Sequence, residues 1–555
     1  MTPPSSPPAP TQPADPAAAG TELLPCAGIY RSGKTVQIEV RNLAAPGQLN
    51  VWHLGELVEC INVVGDGIVD LDTLPPGGYL IGLGAARTAV EITENPRSVL
   101  RYGFVADYRP GRDVAAMSDN VRRLHLTGIQ FYDWAYRHAD LLGGGEQYND
   151  ALNRPISLAT VRDLIDACHQ VGVDALGYAA VYAIGLDEWH AWQHDALLAA
   201  NGQPHALGDF LRLVDPAAED WLAHFTDDLA KAMTRVDFDG FHLDQYGYPK
   251  RAMRSDGSPI DLADSFTRLI GEVRDALPAA RLVFNNVNDF PTWATAQAPQ
   301  DAVYIEVWKP HIGLEHLAQT VTRARAVADG KPVVVAAYQH VYDTSDTAEA
   351  DRAASFTMAA LFSHGATHLF AGEADRVLTD PYYVRNHHIT PSTAEMLRRY
   401  YDFAVAYSEL LFDPGIVEVT SSLVSDYNGD LDVSYEDCDV DQIARAGIMW
   451  RRVTRLPDGR FVMHLINLAG QRDTAWDAPR RPPSDPGPAM LTIRRTGMDM
   501  PRVRIASPDT DHHLRDITLT ADGDLATGTL PTPAIWQLLL IEPSPRIPAG
   551  SEGHT

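Results

Sequence analysis

Phe238-Asp239-Gly240-Phe241-His242-Leu243-Asp244-Gln245-Tyr246-Gly247 reads as a short buried strand that delivers a carboxylate, Asp244, to a glycine-flanked loop. Side chains alternate along a strand, so His242 and Asp244 share one face and Phe241 and Leu243 the other. An apolar face toward covering helices and a polar face toward an interior is how a catalytic barrel strand looks near its end. Taken alone, the same spacing also suits an aspartate capping a following helix. The neighbouring segments decide between the two.

Strand-like runs at residues 102–105, 128–134 and 175–182 precede this stretch, and runs at 282–286, 303–308, 333–338 and 367–373 follow it. The segments between them carry helical spacing of apolar residues, as at 158–171, 221–236, 317–328 and 353–362. Eight strand–helix units over about 300 residues predict a (β/α)8 TIM barrel with this stretch as its fourth strand. A doubly wound open sheet is the rival, but it needs fewer units, and no glycine-rich phosphate loop is present. Residues 391–411 read as the helix that closes the barrel.

Outside that core the rhythm is one of short strands punctuated by Pro and Gly. The predicted organisation is a Pro/Ala-rich tail (1–22), an N-terminal immunoglobulin-like β-sandwich (23–97), the catalytic barrel (98–412), a C-terminal antiparallel β-sandwich (413–545) and a short tail (546–555). The first sandwich rests on runs at 35–40, 49–58 and 79–83, the second on runs at 446–454, 461–468, 490–495, 502–506 and 535–541.

Charge excludes one class of partner. With 45 Lys plus Arg against 73 Asp plus Glu, the chain of 555 residues carries −28, the opposite of a nucleic-acid footprint. No apolar window is long enough to cross a membrane. Cys26, Cys60, Cys168 and Cys438 form no CxxC pair and no metal-ligand spacing, so neither a zinc site nor a disulfide framework is expected. Residues 1–20 lack the basic and apolar regions of a signal peptide, which predicts a cytoplasmic protein, with secretion by another route as the alternative. A neutral ligand such as a sugar fits this balance, and the oligomeric state is left open.

In a barrel of this kind the active site lies at the C-terminal ends of the strands. There the sequence collects Asp107, Tyr132, Asp133, Tyr182, Asp244, Asn286, Glu306, Tyr338 and Glu373, with no His-x-His or His-Glu-x-x-His metal cluster and no Gly-x-Ser-x-Gly elbow. Paired carboxyls with aromatic platforms are the minimum equipment for cleaving a glycosidic bond. Asp244 and Glu306 hold the best positions. Tyr304, Glu306 and Trp308 share a face of the sixth strand, and Trp308 is expected to desolvate Glu306 and raise its pKa, as suits an acid. His242 beside Asp244 is expected to favour the ionised form. A structural ion pair or cap is the alternative for either carboxyl.

Four stretches then become recognisable. Arg101-Tyr102-Gly103-Phe104-Val105, Gln130-Phe131-Tyr132-Asp133-Trp134-Ala135-Tyr136-Arg137-His138, the Asp239–Gln245 core of the opening stretch, and Tyr400-Tyr401-Asp402-Phe403-Ala404-Val405-Ala406-Tyr407 resemble glycoside hydrolase family 66, which contains dextranases and cycloisomaltooligosaccharide glucanotransferases. The resemblance runs from about residue 25 to 545 and matches the predicted domain order. It implies that Asp244 is the nucleophile and Glu306 the acid/base of a retaining mechanism, with the carboxyls about 5 to 5.5 Å apart.

The implied reaction is endo-cleavage of α-1,6-glucan, either dextran or isomaltooligosaccharides, with transglycosylation or a different α-linked glycan as alternatives. Tyr132, Asp133, Trp134, Tyr182, His242, Gln245, Asn286, Trp308, Tyr338 and Glu373 are the substrate-binding candidates, and Trp134 reads equally well as core. Asn286 is expected either to hold a sugar hydroxyl or to orient Asp244. A glucan-binding protein without chemistry is the non-enzyme alternative; it would keep the aromatics and not need both carboxyls.

Two departures from the family pattern matter. The strand spacings leave no room for the inserted carbohydrate-binding module usual in enzymes that make cyclic products, which favours hydrolysis. Typical members are also secreted. No cofactor is expected. The run Asp426-Tyr427-Asn428-Gly429-Asp430-Leu431-Asp432, with Asp437 beyond it, spaces oxygens like a calcium loop but puts Leu where Gly belongs. A solvated acidic loop is the first reading there and a structural calcium the second.

Overall fold

The structure is a computed structural model and describes residues 20–424, 428–495, 499–510 and 512–543. Its centre is a parallel sheet of eight strands: β1 (Tyr102–Val105), β2 (Gly128–Phe131), β3 (Asp174–Ala180), β4 (Gly240–Asp244), β5 (Arg281–Asn285), β6 (Ala302–Glu306), β7 (Val333–Ala336) and β8 (Ala366–His368). They pair in chain order from β1 to β8. A helix follows each strand, namely α1 (Val114–Arg123), α2 (Leu158–Gln170), α3 (Glu219–Val236), α4 (Leu262–Ala276), the single turn α5 (Thr292–Thr295), α6 (Leu314–Val327), α7 (Thr347–Ser363) and α8 (Pro391–Ala406).

Alternation sorts the strand residues into two cores. Phe241 and Leu243 of β4, Leu282 and Phe284 of β5, and Val303 and Ile305 of β6 join the mantle beneath the helices. Tyr102, Phe104, Leu176, Val283, Tyr304, Val334 and Ala336 fill the interior. Trp221, Leu222, Phe225, Leu229, Ala232 and Val236 of α3 recur at helical spacing and all are buried, which seats this helix on the mantle. The helix ends at Asp237, whose φ of +76° is the left-handed conformation that a short polar side chain tolerates, and the chain turns there into Phe238 and β4. Arg281 plugs the lower end of the barrel, pairing with Asp174 at 2.7 Å and donating to the carbonyl of Val99 at 2.7 Å.

Strands β8 and β1 meet at a seam held by side chains. Thr367 donates to the carbonyl of Leu100 at 2.7 Å, and Asn120 to that of Gly372 at 3.0 Å. A Cβ on Gly372 would stand 2.2 Å from the backbone nitrogen and oxygen of Phe104, so only glycine permits this approach. Glu373 then accepts from the amides of Ala106 and Asp107 and pairs with Arg112 at 2.6 Å. This reassigns Glu373, an expected sugar ligand, to closing the barrel.

β-Sheets flank the barrel on both sides in sequence. Before it, a three-stranded sheet (Glu22–Pro25, Val36–Arg41, Gly67–Leu71) and a five-stranded sheet (Tyr30–Arg31, Gly47–His53, Glu56–Val63, Gly77–Leu83, Ala86–Thr93) enclose one core that includes Val36, Ile38, Leu49, Val51 and Ile81. After it, a sheet containing Met449–Arg455, Phe461–Asn467, Arg502–Ala506 and Trp536–Glu542 packs on a four-stranded sheet containing Leu431–Tyr435, Ala489–Arg494 and Leu525–Leu530, around Val433, Met463, Leu491 and Leu539. Of the calcium-loop residues, Asp426 and Tyr427 lie outside the described residues. Asp430 pairs with Arg494 at 2.8 Å and Asp432 with Arg451 at 2.6 Å.

Glu373→Ala strands Arg112, whose side chain is as buried as its partner's, and is expected to cost about 3 kcal/mol of stability because removing one partner of a buried pair leaves an uncompensated charge. Chemical denaturation reads the loss. Unchanged stability, or a selective rise in KM for an oligosaccharide with stability intact, would restore Glu373 to the binding site.

Candidate active site

Asp244 ends β4 and Glu306 ends β6, and β5 runs between them. Both residues face the interior, because His242 and Tyr304, two positions earlier on each strand, do so as well. Asn285 is the last residue of β5 and lies opposite Tyr304 in register. Its Nδ2 donates to Asp244 Oδ1 at 2.7 Å and to Glu306 Oε2 at 2.7 Å. Those two oxygens therefore lie no farther apart than twice 2.7 Å. The other oxygen of Asp244 accepts from the Tyr178 hydroxyl at 2.7 Å.

These bonds order the two ionisations. Burial pushes the Glu306 pKa up, and the neighbouring Asp244 charge pushes it further, against the Asn285, Tyr338 and Trp308 donors. Burial also raises Asp244, opposed by Asn285, Tyr178 and the Gln245 amide. Glu306 carries the contribution of its neighbour's charge while both Asp244 oxygens hold donors, an arrangement that favours the carboxylate on Asp244 and the proton on Glu306. His242 takes no part in this. It is packed by Tyr102, Tyr178 and Tyr304, and burial drives its pKa down to about 3, so it is a neutral ring on the cavity floor and not a charge beside Asp244. The expected rise of the Glu306 pKa by desolvation is present, and Trp308, 39% exposed at the rim against Tyr338, adds a hydrogen bond that partly opposes it.

The pair opens into a cavity of about 620 Å³ whose walls are largely phenolic: Tyr132, Tyr178, Tyr246, Tyr304, Tyr338, Tyr382 and Tyr383. Tyr132 stacks on Tyr383 at 4.3 Å between ring centres. Tyr132, Tyr178, Tyr246 and Tyr382 also line an adjoining cavity of about 160 Å³ that contains Asp133. Asp133 adopts φ +48°, lies 3.6 Å from Arg154, and has its pKa raised to about 7 by burial despite that arginine. A cavity of about 650 Å³ at the opposite end of the barrel holds carboxylates too, but Glu91 is paired with Arg101, Glu409 with His53 and Glu418 with Arg452.

Of the expected ligands, Tyr132, His242, Gln245, Trp308 and Tyr338 line the main cavity and Asp133 the smaller one. Trp134 does not reach either; it is fully buried against Phe238 and donates to the carbonyl of Tyr178 at 3.2 Å. Tyr182 is also buried, bonded to Tyr246 and Tyr248 of the loop after β4. Asn286 faces the mantle, its amide held by the carbonyls of Phe284 and Tyr304 and by Thr295. Gln245 spends its amide on the carbonyls of Asn285 and Phe290. Asp107 pairs with Arg109 at 2.7 Å. The residues sequence reasoning missed are Asn285 and Tyr178, and strand alternation contained both. Val283 marks the inward face of β5, and Tyr178 pairs in register with His242. Tyr383, on a turn after β8, had no periodic signal.

A buried carboxylate–carboxylic acid pair at the C-terminal end of a β/α-barrel, in a cavity walled by tyrosines, is the arrangement of a barrel glycoside hydrolase. The chain belongs to glycosyl hydrolase family 66, whose model matches residues 82–540. A cycloisomaltooligosaccharide glucanotransferase of Niallia circulans is 27% identical over 324 residues, which is 53% of this chain and 33% of that protein. A dextranase of Streptococcus salivarius is 23% identical over 408 residues, 61% of this chain and 49% of its own length. The chain thus spans a third to a half of these relatives. The crystal structure of a Paenibacillus cycloisomaltooligosaccharide glucanotransferase in complex with cycloisomaltoheptaose shares the fold, with a TM-score of 0.82 at 20% identity over 94% of this chain and all of that one.

The pH profile of kcat/KM is expected to be bell-shaped, rising as Asp244 ionises and falling as Glu306 loses its proton. Both limbs should lie above the ordinary carboxyl values of about 3.9 and 4.3, since burial raises both groups. With an aryl glycoside whose leaving group needs no acid, Glu306→Gln should lose the alkaline limb. An alkaline limb that persists in this variant would assign the proton to another residue.

Proposed function

We propose that this protein is a retaining, endo-acting glycoside hydrolase of α-1,6-linked glucan, with Asp244 as nucleophile and Glu306 as acid/base. The observation that carries the reading is the amide shared by the two carboxyls. Retaining enzymes keep their pair about 5 to 5.5 Å apart, whereas inverting enzymes need about 6.5 to 9.5 Å to admit a water. A single donor 2.7 Å from an oxygen of each carboxyl supports the short spacing.

The chemistry follows from the protonation order. An Asp244 oxygen attacks the anomeric carbon while the Glu306 proton passes to the departing glycosidic oxygen, which leaves a glycosyl ester on Asp244 and a carboxylate on Glu306. Glu306 then takes a proton from water, or from the hydroxyl of an acceptor sugar, as that oxygen attacks the anomeric carbon and releases Asp244. Water gives hydrolysis and a sugar gives transglycosylation. The phenolic walls offer flat apolar faces for sugar rings and hydroxyls for their edges.

One feature supports internal cleavage of a chain and another supports hydrolysis. The cavity continues past Tyr132, Tyr178 and Tyr382 into a second space, so sugar units have room beyond the pair. The longest excursion at the barrel mouth, at residues 181–218, holds only short strands and single helical turns and no separate module, which favours hydrolysis over cyclisation. The α-1,6 linkage is carried over from the activities for which the relatives are named. We read the paired flanking sheets as β-sandwiches, the N-terminal one immunoglobulin-like, that brace the barrel.

Incubation with dextran, isomaltooligosaccharides, nigeran and pullulan, followed by product chromatography, is expected to show isomaltooligosaccharides released from the α-1,6-linked substrates alone. Asp244→Ala should lower turnover by at least about 10⁴-fold while the folded protein still binds oligosaccharide. Cleavage confined to nigeran, which has no α-1,6 bond, or to the α-1,4 bonds of pullulan would overturn the linkage, and full activity of the variant would overturn the mechanism.

A further inference from the structure

Asn285 is built into the site more firmly than either carboxyl. Its side chain is 2% exposed, and its backbone carbonyl is clamped by the Gln245 amide at 3.1 Å. The next residue, Asn286, is fixed by two backbone carbonyls and by Thr295 at 2.5 Å. Two side chains that the sequence offered as sugar ligands therefore serve to immobilise the end of β5. What they immobilise is an NH2 group with one hydrogen for each catalytic oxygen, at equal distances of 2.7 Å. The opposite orientation would turn the amide oxygen toward the Asp244 carboxylate, which it would repel. As it stands, Asn285 Oδ1 points away and has no hydrogen-bond partner among the described residues.

We infer that Asn285 is the positioning residue that sets the spacing of the catalytic pair and anchors the Oε2 atom of Glu306. The inference rests on the proposed assignment of Asp244 and Glu306 as that pair. The Asn285 donor keeps Oε2 an acceptor, beside the Tyr338 and Trp308 donors that Glu306 also receives. Because the donor remains after the proton has gone to the leaving oxygen, the same bond then holds the Glu306 carboxylate in place for the second step. The Asp244 anion keeps its bond on Oδ1 throughout the approach to the anomeric carbon. Tyr178 differs in reach, for its hydroxyl bonds Asp244 and not Glu306.

That difference supplies the test. Asn285→Ala removes a donor from both carboxyls, so both limbs of the kcat/KM profile should move to higher pH, each by about one unit. Tyr178→Phe removes a donor from Asp244 alone and should move only the acid limb. Asn285→Ala should also lower kcat by about 10²–10³-fold, the cost of losing a preorganised donor, with KM changed by less than about threefold. Should the alanine variant fold poorly by circular dichroism, the isosteric Asn285→Asp serves in its place: its added negative charge should move the alkaline limb up and depress kcat comparably.

Limbs that stay where they are in the wild type, or a kcat reduced by less than about threefold, would overturn the inference. Mapping the peptide labelled by a fluorinated glycosyl fluoride in the wild-type enzyme separates the two levels of the argument. Label on Asp244 with unmoved limbs defeats the role of Asn285 alone. Label on any other residue defeats the assignment of the pair on which that role depends.

Discussion

One amide facing two carboxyl groups is the constraint around which the barrel mouth is arranged. Two like charges this close in a poorly solvated cavity repel strongly, and burial alone disfavours either one. The structure answers with fixed donors, Tyr178, Asn285 and the Gln245 amide on Asp244 and Asn285, Tyr338 and Trp308 on Glu306, and with pKa values raised by burial. The arrangement works only if three adjacent strands end at matched heights. β4, β5 and β6 do so because they pair in parallel register, with Leu243 opposite Phe284 and Asn285 opposite Tyr304. The reactive centre is in this sense a property of sheet register, and the seam at Gly372 and Glu373 protects it by closing the sheet on the far side.

Much of this was legible in the sequence, for a physical reason. A strand buried on both faces and flanked by helices leaves a period of two inside a longer helical rhythm, and that pattern gave eight strands within a few residues of their observed ends. Asp244 and Glu306 followed, since each is the polar residue where an apolar strand stops. The one-residue error at Asn285 and Asn286 is instructive. Both are amides at the end of β5, and the rule that a polar residue at a strand end faces the site cannot choose between neighbours; Val283 and Phe284 could, by the core each joins.

Other expectations failed because they assigned contacts from composition. His242 is expected to favour the ionised form of Asp244, but a ring enclosed by tyrosines stays neutral and adds no charge there. Tyr182 is a candidate ligand that spends its hydroxyl on the backbone of the loop after β4, and of the two readings open to Trp134 the structure shows the core one. Glu373 sits at a strand end and is acidic, the same signal as Glu306, and only the position of Arg112 and of the amides after β1 distinguishes a clasp from a proposed catalytic group. Such partners lie some 260 residues away in sequence, where no local pattern can reach.

The central claim is that Asp244 and Glu306 stand at the spacing of a double displacement. Following the anomeric protons of the first product by NMR, during cleavage of an isomaltooligosaccharide by the wild-type enzyme, tests this most directly. The account predicts that the α-anomer appears first and equilibrates afterwards to the β-form. The β-anomer appearing first would mean that water attacks without a glycosyl-enzyme, and would contradict it.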